Sequence, residues 1–255
     1  TGSIQKPGAV RTRNGSSWGS DGRPLAIHTY GLLTVLPNGR IFTCKGGAAY
    51  DSGHGGPSAY EFDPISNDYD MTRLYTATDY AYYGLTGSCT YDPSRNKVYE
   101  TSGPYVIAYD IAAQTAGIVY GALYGPEFGL SSTLIRIPEH DILVNFGGVS
   151  SSVGTGNSTC IIDPASITST PVPITSAADQ LWSLYGVAYD TLRKRVLGWP
   201  GGASVETLTP PPTNPKAGTW VYSSLTTSPT HAPHTARNSH GTYGRFFYHA
   251  TLAAA

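Results

Sequence analysis

The chain has 255 residues, 13% of them charged, and a formal net charge of −1. So even a balance leaves no electrostatic footprint for nucleic acid or for an anionic membrane surface. Its 30 glycines, 19 prolines and 19 tyrosines describe many short strands joined by tight turns.

Taken in order, residues 1–27 are polar and rich in Gly and Ser. Leu32, Leu33, Val35 and Leu36 then form a short apolar run bounded by turn residues, which suits a buried strand. Pro37-Asn38-Gly39 is a turn with a mechanism, because Pro presets φ and Asn-Gly tolerates φ > 0. Arg40 to Cys44 leads back as a second strand, and Gly46-Gly47 ends it. Ala59 to Phe62 alternates as a third strand, and Asp63-Pro64 closes it.

The pattern then recurs. Tyr91 to Tyr99 reads strand, turn, strand, followed by Ser102-Gly103 and a strand over Val106 to Asp110. A third copy runs from Thr133 to Val144, through Gly147-Gly148, to Cys160-Ile161-Ile162-Asp163-Pro164. A fourth comprises Val187 to Asp190, Val196 to Trp199, Gly201-Gly202 and Val205 to Leu208. A fifth opens at Thr242 to Tyr248 and stops. The period is about 53 residues, within the range of propeller blades. No long stretch carries the apolar periodicity of an amphipathic helix. The nearest approach to a membrane span, Ile111 to Gly125, is uncharged but shorter than the roughly 20 residues required, so a soluble domain is expected.

A strand, a Gly-Gly pair, a strand with an aromatic, then Asp-Pro or a later Trp resembles the kelch repeat. The nearest likeness is the kelch-like propeller of galactose oxidase and related bacterial proteins. Gly46-Gly47 with Tyr60 and Tyr69, and Gly201-Gly202 with Trp220, carry it best. The second copy departs, with Ser-Gly in place of Gly-Gly, and the third lacks the later aromatic. The resemblance implies an all-β chain, 1–255, forming a single β-propeller domain of about five four-stranded antiparallel blades. Inner strands are expected at Tyr30–Leu36, Gly87–Tyr91, Ser131–Ile137, Tyr185–Tyr189 and Tyr243–Tyr248. The fifth blade is incomplete and is expected to be completed by the N-terminal segment, in the same copy or by strand exchange with another. Residues 251–255 read as a cloning linker or a truncated blade. The expected state is a monomer or a self-assembly by that exchange.

Cys44, Cys89 and Cys160 fall in expected strands, without CxxC spacing, and read as buried core residues rather than a disulfide or a reactive thiol. Two sequons, Asn14-Gly15-Ser16 and Asn157-Ser158-Thr159, and the low charge point to an extracellular or periplasmic protein. The Asp-Pro pairs at Asp63, Asp92 and Asp163 are turn-formers rather than catalytic carboxylates.

In a propeller, the loops between blades gather at one face with those after each second strand. The residues expected to bind ligand there are Tyr82, Tyr83, Trp182, Trp199, His240, Tyr243 and Arg245. Flat rings with polar tips suit a sugar, and the few cations do not suit a strong anion. A glycan or protein ligand is therefore expected, with no nucleic acid, membrane, metal or cofactor. Tyr82 and Tyr83 have packing between blades as their plain alternative. His231, His234 and His240 surround a proline without a carboxylate or Cys at ligand spacing, which favours a solvated loop over a metal site. An enzymatic alternative is lyase-like acid–base chemistry on His28, Tyr30, His240, Tyr243 and Arg245. Galactose oxidase-like copper chemistry finds no matching Tyr–Cys motif here.

Overall fold

A computed structural model describes residues 27–28, 31–44, 47–48, 58–76, 87–102, 105–121, 132–147, 159–166, 168–171, 182, 185–226, 246 and 248. Among these residues the chain is all-β, with one 3₁₀ turn, Pro138–His140, and no α-helix. A short ladder joins β1 (Ile27–His28) to β4 (Gly47–Ala48). The other strands make four antiparallel sheets of four strands each. The first sheet holds β2 (Leu33–Val35), β3 (Ile41–Thr43), β5 (Ser58–Asp63) and β6 (Asp68–Thr76). The second holds β7 (Gly87–Asp92), β8 (Lys97–Ser102), β9 (Tyr105–Asp110) and β10 (Thr115–Gly121). The third holds β11 (Thr133–Ile137), β12 (Ile142–Phe146), β13 (Cys160–Asp163) and β14 (Thr168–Pro171). The fourth holds β15 (Gly186–Asp190), β16 (Arg195–Trp199), β17 (Ser204–Thr209) and β18 (Val221–Thr226).

Within each sheet the strands lie side by side in chain order, so every connection is a hairpin or a longer return. The repeated hairpin has a local cause. Asp63, Asp92, Asp110, Asp163 and Asp190 each accept a backbone N–H two residues on through Oδ1, at 2.8–3.1 Å. Four residues after an Asp the chain enters the left-handed region, at Asn67, Asn96, Gln114 and Lys194, with φ of 50–55°. An Asx turn followed by one such residue reverses the strand. The turn-forming role expected of Asp63, Asp92 and Asp163 is therefore what these residues perform.

The sheets stack face to face. One core lies between the first and second sheets (Leu32, Phe42, Cys44, Tyr75, Cys89, Val98, Ile107, Tyr109). A second lies between the second and third sheets (Tyr99, Val106, Ala108, Leu134, Leu143, Cys160, Ile162). The third lies between the third and fourth sheets and includes Ile142, Val144, Phe146, Ile161, Trp182, Val187, Val196 and Trp220. Alternate residues of one strand thus feed opposite cores: Val98 and Tyr99, Ile107 and Val106, Val144 and Leu143. Burial on both faces is why these strands read as nearly unbroken apolar runs.

The first strands are neighbours. Gly31 forms a parallel bridge with Ser88, and the Cys89 N–H donates to Gly31 O at 2.8 Å. Ser88 Oγ in turn accepts the Leu134 N–H, and β15 flanks β11. Two of the small residues at the inner-strand starts are sterically required. A Cβ on Gly31 would lie 2.7 Å from Ser88 Cβ, and one on Gly87 would lie 1.8 Å from Thr101 O. At Gly87 the crowding comes from the adjacent strand of its own sheet. The first strands of the four described sheets fall where the sequence places them. Of the fifth, only Phe246 and Tyr248 lie within the described residues. The cysteines are free and buried, with Cys44 one residue past β3 rather than in a strand.

Candidate ligand-binding site

Antiparallel order puts the eight hairpin turns of the four sheets at one end. The starts of the first strands and the ends of the second strands lie at the other.

At the turn end five arginines have carboxylate partners. Arg40 pairs with Asp70 and lies 3.4 Å from Glu61. Arg95 grips Asp141 with two nitrogens, at 2.8 and 2.7 Å, and also reaches Asp92 at 2.9 Å. Arg136 Nε is 2.8 Å from Asp92. Arg193 and Arg195 both approach Asp190 at 3.3 Å. Burial pushes the fully enclosed Asp92 carboxyl up, but hydrogen bonds from Ser94 and Arg95 and the charge of Arg136 outweigh it and hold the pKa low. Arg95 lowers Asp141 chiefly by hydrogen bonding, and Lys216 brings Asp163 down to about 2. With its guanidiniums occupied, this end offers poor ground for an anionic ligand and serves to tie sheets together.

The opposite end carries the aromatics. Trp199 closes β16 and is half-buried. Its Nε1–H donates to Gly202 O at 2.9 Å. That return needs φ of 100° at Gly201 and 81° at Gly202, conformations open to glycine. The Gly-Gly pair singled out in the sequence thus fixes an indole at a strand end. Phe246 stacks on Trp199 at 6.0 Å and 30°.

Trp182, expected at the rim, is instead a core residue with 4% exposure. Its ring packs on Phe146 at 5.2 Å and stacks on Tyr185 at 5.9 Å. Gly198 leaves the hole it fills, since a Cβ there would stand 2.3 Å from the ring. Tyr82, Tyr83, His240, Tyr243 and Arg245 lie outside the described residues. So do Tyr30 and the His231–His234 segment.

The sequence reading missed three carboxylates set among tyrosines. Glu61 and Glu100 are wholly buried in strands. Glu61 accepts the Tyr75 hydroxyl at 2.7 Å, and Glu100 accepts that of Tyr109. Glu206 is half-buried and takes the Tyr185 hydroxyl at 3.3 Å. A solitary Glu inside an apolar strand, with a Tyr on the neighbouring strand, is the signal that could have found them. Glu61 and Glu100 are enclosed in the core between the sheets, where each binds a tyrosine hydroxyl of the adjacent strand. Among the described residues, no group of three or more His, Cys, Asp or Glu is placed to hold a metal ion. No protein-family model matches the chain, and no curated protein matches it.

Proposed function

We propose that the chain is a kelch-like β-propeller binding module that takes a glycan at the end of the blades where Trp199 lies. The observation that carries the ligand reading is Trp199 itself. Its half-buried ring is locked by Gly202 and backed by Phe246 at a strand end. A rigid flat surface with a polar edge suits the C–H face of a sugar. Tyr82, Tyr83, His240, Tyr243 and Arg245 complete the proposed site, and Trp182 supports it from the core. Such a module belongs outside the cytoplasm.

Support for the propeller comes from the order of the sheets and from a contact that repeats between them. Arg136, near the end of β11, meets the turn carboxylate Asp92 of the preceding sheet. Tyr189 of β15 meets Glu139 of the sheet before it. Tyr248 lies close enough to Asp190, the turn carboxylate of the fourth sheet, to act on it electrostatically. Phe246 likewise packs on Trp199 as Trp182 packs on Phe146, at the matching end of the previous second strand. In this proposal the segment bearing Phe246 and Tyr248 belongs to a fifth blade, which the N-terminal segment completes. Deleting residues 1–15 is expected to lower the melting temperature, and an equally stable monomer would rule that completion out.

Glycan-array screening of the wild type and of Trp199→Ala tests the binding reading. Binding that disappears in a variant with unchanged circular dichroism is the expected result. A wild type that retains no glycan and captures protein instead would refute it. One stacked ring contributes only about 0.5–1.5 kcal/mol beyond its burial, so several must act together.

A further inference from the structure

We propose that Glu206 is a pH-operated latch that holds Trp182 and Tyr185 down on the fourth sheet. The inference is independent of the ligand reading and stands on the register of β16 and β17. Glu206 pairs with Gly198 across the ladder, so the carboxyl emerges on the face where Gly198 leaves its gap. The Trp182 ring fills that gap. Tyr185 is tied to the same place twice: its ring stacks on Trp182, and its N–H donates to Trp182 O at 3.4 Å. The Tyr185 hydroxyl donates to Glu206 Oε1 at 3.3 Å. Glu206 Oε2 is enclosed and takes no hydrogen bond.

The groups around this carboxyl decide its behaviour. From β18 come Ser224, opposite it in the ladder, and the Tyr222 hydroxyl. From β16 comes Gly198, with no side chain, and from the approach to β15 come Trp182 and Tyr185. Among the described residues, the titratable groups acting on it are thus two tyrosines, with no cation among them. Glu61 differs, having Arg40 at 3.4 Å as well as Tyr75. An ionised Glu206 would carry charge into a half-buried site with two hydroxyls and, among the described residues, no counter-charge.

Burial accordingly raises the Glu206 pKa above 4.5, and the hydrogen bonds from Tyr185 and Tyr222 oppose it without cancelling it. A folded-state pKa raised above the unfolded value means that the stabilisation is fully present below about pH 4.5 and is lost as pH rises through the folded value. The latch is closed in acid and loosens toward neutrality. What it releases is the packing of Trp182 and Tyr185 over Gly198, at the same end of the sheet as Trp199.

Hydrogen–deuterium exchange at the Tyr185 amide, corrected for the intrinsic pH dependence of exchange, reads the latch locally. In the wild type, protection is expected to fall by up to about tenfold per pH unit between the unfolded and folded pKa values of one carboxyl. Glu206→Gln is expected to flatten that profile and to be better protected than the wild type at pH 7. Tyr185→Phe, which removes a donor to the anion, is expected to extend the fall to higher pH. A Glu206→Gln profile that keeps the wild-type slope, or is less protected at pH 7, would overturn the proposal. Should that variant not fold, an unchanged pH range in Tyr185→Phe would do the same.

Discussion

The interface between the first and second sheets and that between the second and third are built from similar strands and held by opposite means. The first buries its polar groups. Phe42 packs edge-on against Tyr75 at 5.0 Å and Tyr109 at 5.3 Å, and both tyrosine hydroxyls turn to enclosed glutamates. Cys44 and Cys89 lie in the same core. The second keeps a largely aliphatic core and places its charges at the turn end. There Arg95 and Arg136 cross between Asp92 and Asp141, on either side of the gap. The contrast teaches where an inter-sheet contact draws its specificity. In the first interface it comes from ring geometry and hydrogen bonds in a low-dielectric setting, in the second from ion pairs at the turn end, where Asp92 is enclosed and Asp141 is open to solvent and salt.

The largest effect is expected at the aromatic interface. Phe42→Ala removes the ring that both tyrosines pack against and should cost about 3–5 kcal/mol, measured by denaturant unfolding. Arg95→Ala, at the charged interface, should cost only about 1 kcal/mol, because its partner Asp141 is half exposed and Arg136 still holds Asp92. A loss at Arg95 as large as that at Phe42 would erase the distinction.

A pH scan sharpens it. Asp92, Asp141 and Asp163 have lowered pKa values, so the stability they supply is present above their ordinary 3.8 and is lost as pH falls, down to about 2 for Asp163. Acid should therefore loosen the contacts of the third sheet with its neighbours before it touches the aromatic interface. Alkali works in the other sense. Burial, ahead of neighbouring Cys89 and Glu100, raises Cys44 well above 9.0, and burial with Glu100 raises Tyr109 well above 10.0. Their contribution is present below those values and is lost as pH climbs past them. Cys160, pushed up to about 12 by burial, is the corresponding group in the second core. Hydrogen exchange resolved by sheet, at pH 3 and at pH 10, is the measurement, and loss of protection at the aromatic interface ahead of the charged one at pH 3 would contradict the assignment.

The smallest effect belongs to a turn. Lys194 sits at φ 54°, where Asn67 and Asn96 occupy the matching place in other sheets. Lys194→Asn should stabilise by about 0.5–1 kcal/mol, since Asn tolerates the left-handed region better. A decrease would show that the Lys194 contact with Glu139, 3.5 Å away, matters more than the backbone.

The Asp turns and the doubly buried strands were legible because each leaves a local mark: an Asp at a fixed offset, or an unbroken apolar run such as Ile142-Leu143-Val144. The outer strands were not. Val221 to Thr226 is mostly exposed, so burial imposes no pattern on it. Trp182 was misplaced for a different reason. Its burial depends on the vacancy at Gly198, and that follows from the pairing of Val187 with Gly198, which no single stretch of sequence contains. The buried glutamates are similar, for Tyr75 and Tyr109 reach them only once the strands are aligned. Trp199 was legible because its constraint, the Gly201-Gly202 return, lies beside it in sequence.

The most direct test of the binding reading follows the Trp199 indole N–H by nuclear magnetic resonance, assigned through its loss in Trp199→Phe. A glycan that scores on the array is titrated into the wild type, with Arg95→Ala as a control altered at the opposite end. The Trp199 resonance should shift saturably in both proteins, and the glycan should bind Trp199→Phe more weakly. A glycan that binds while this resonance stays in place, or that loses affinity in Arg95→Ala and not in Trp199→Phe, would contradict the location of the site.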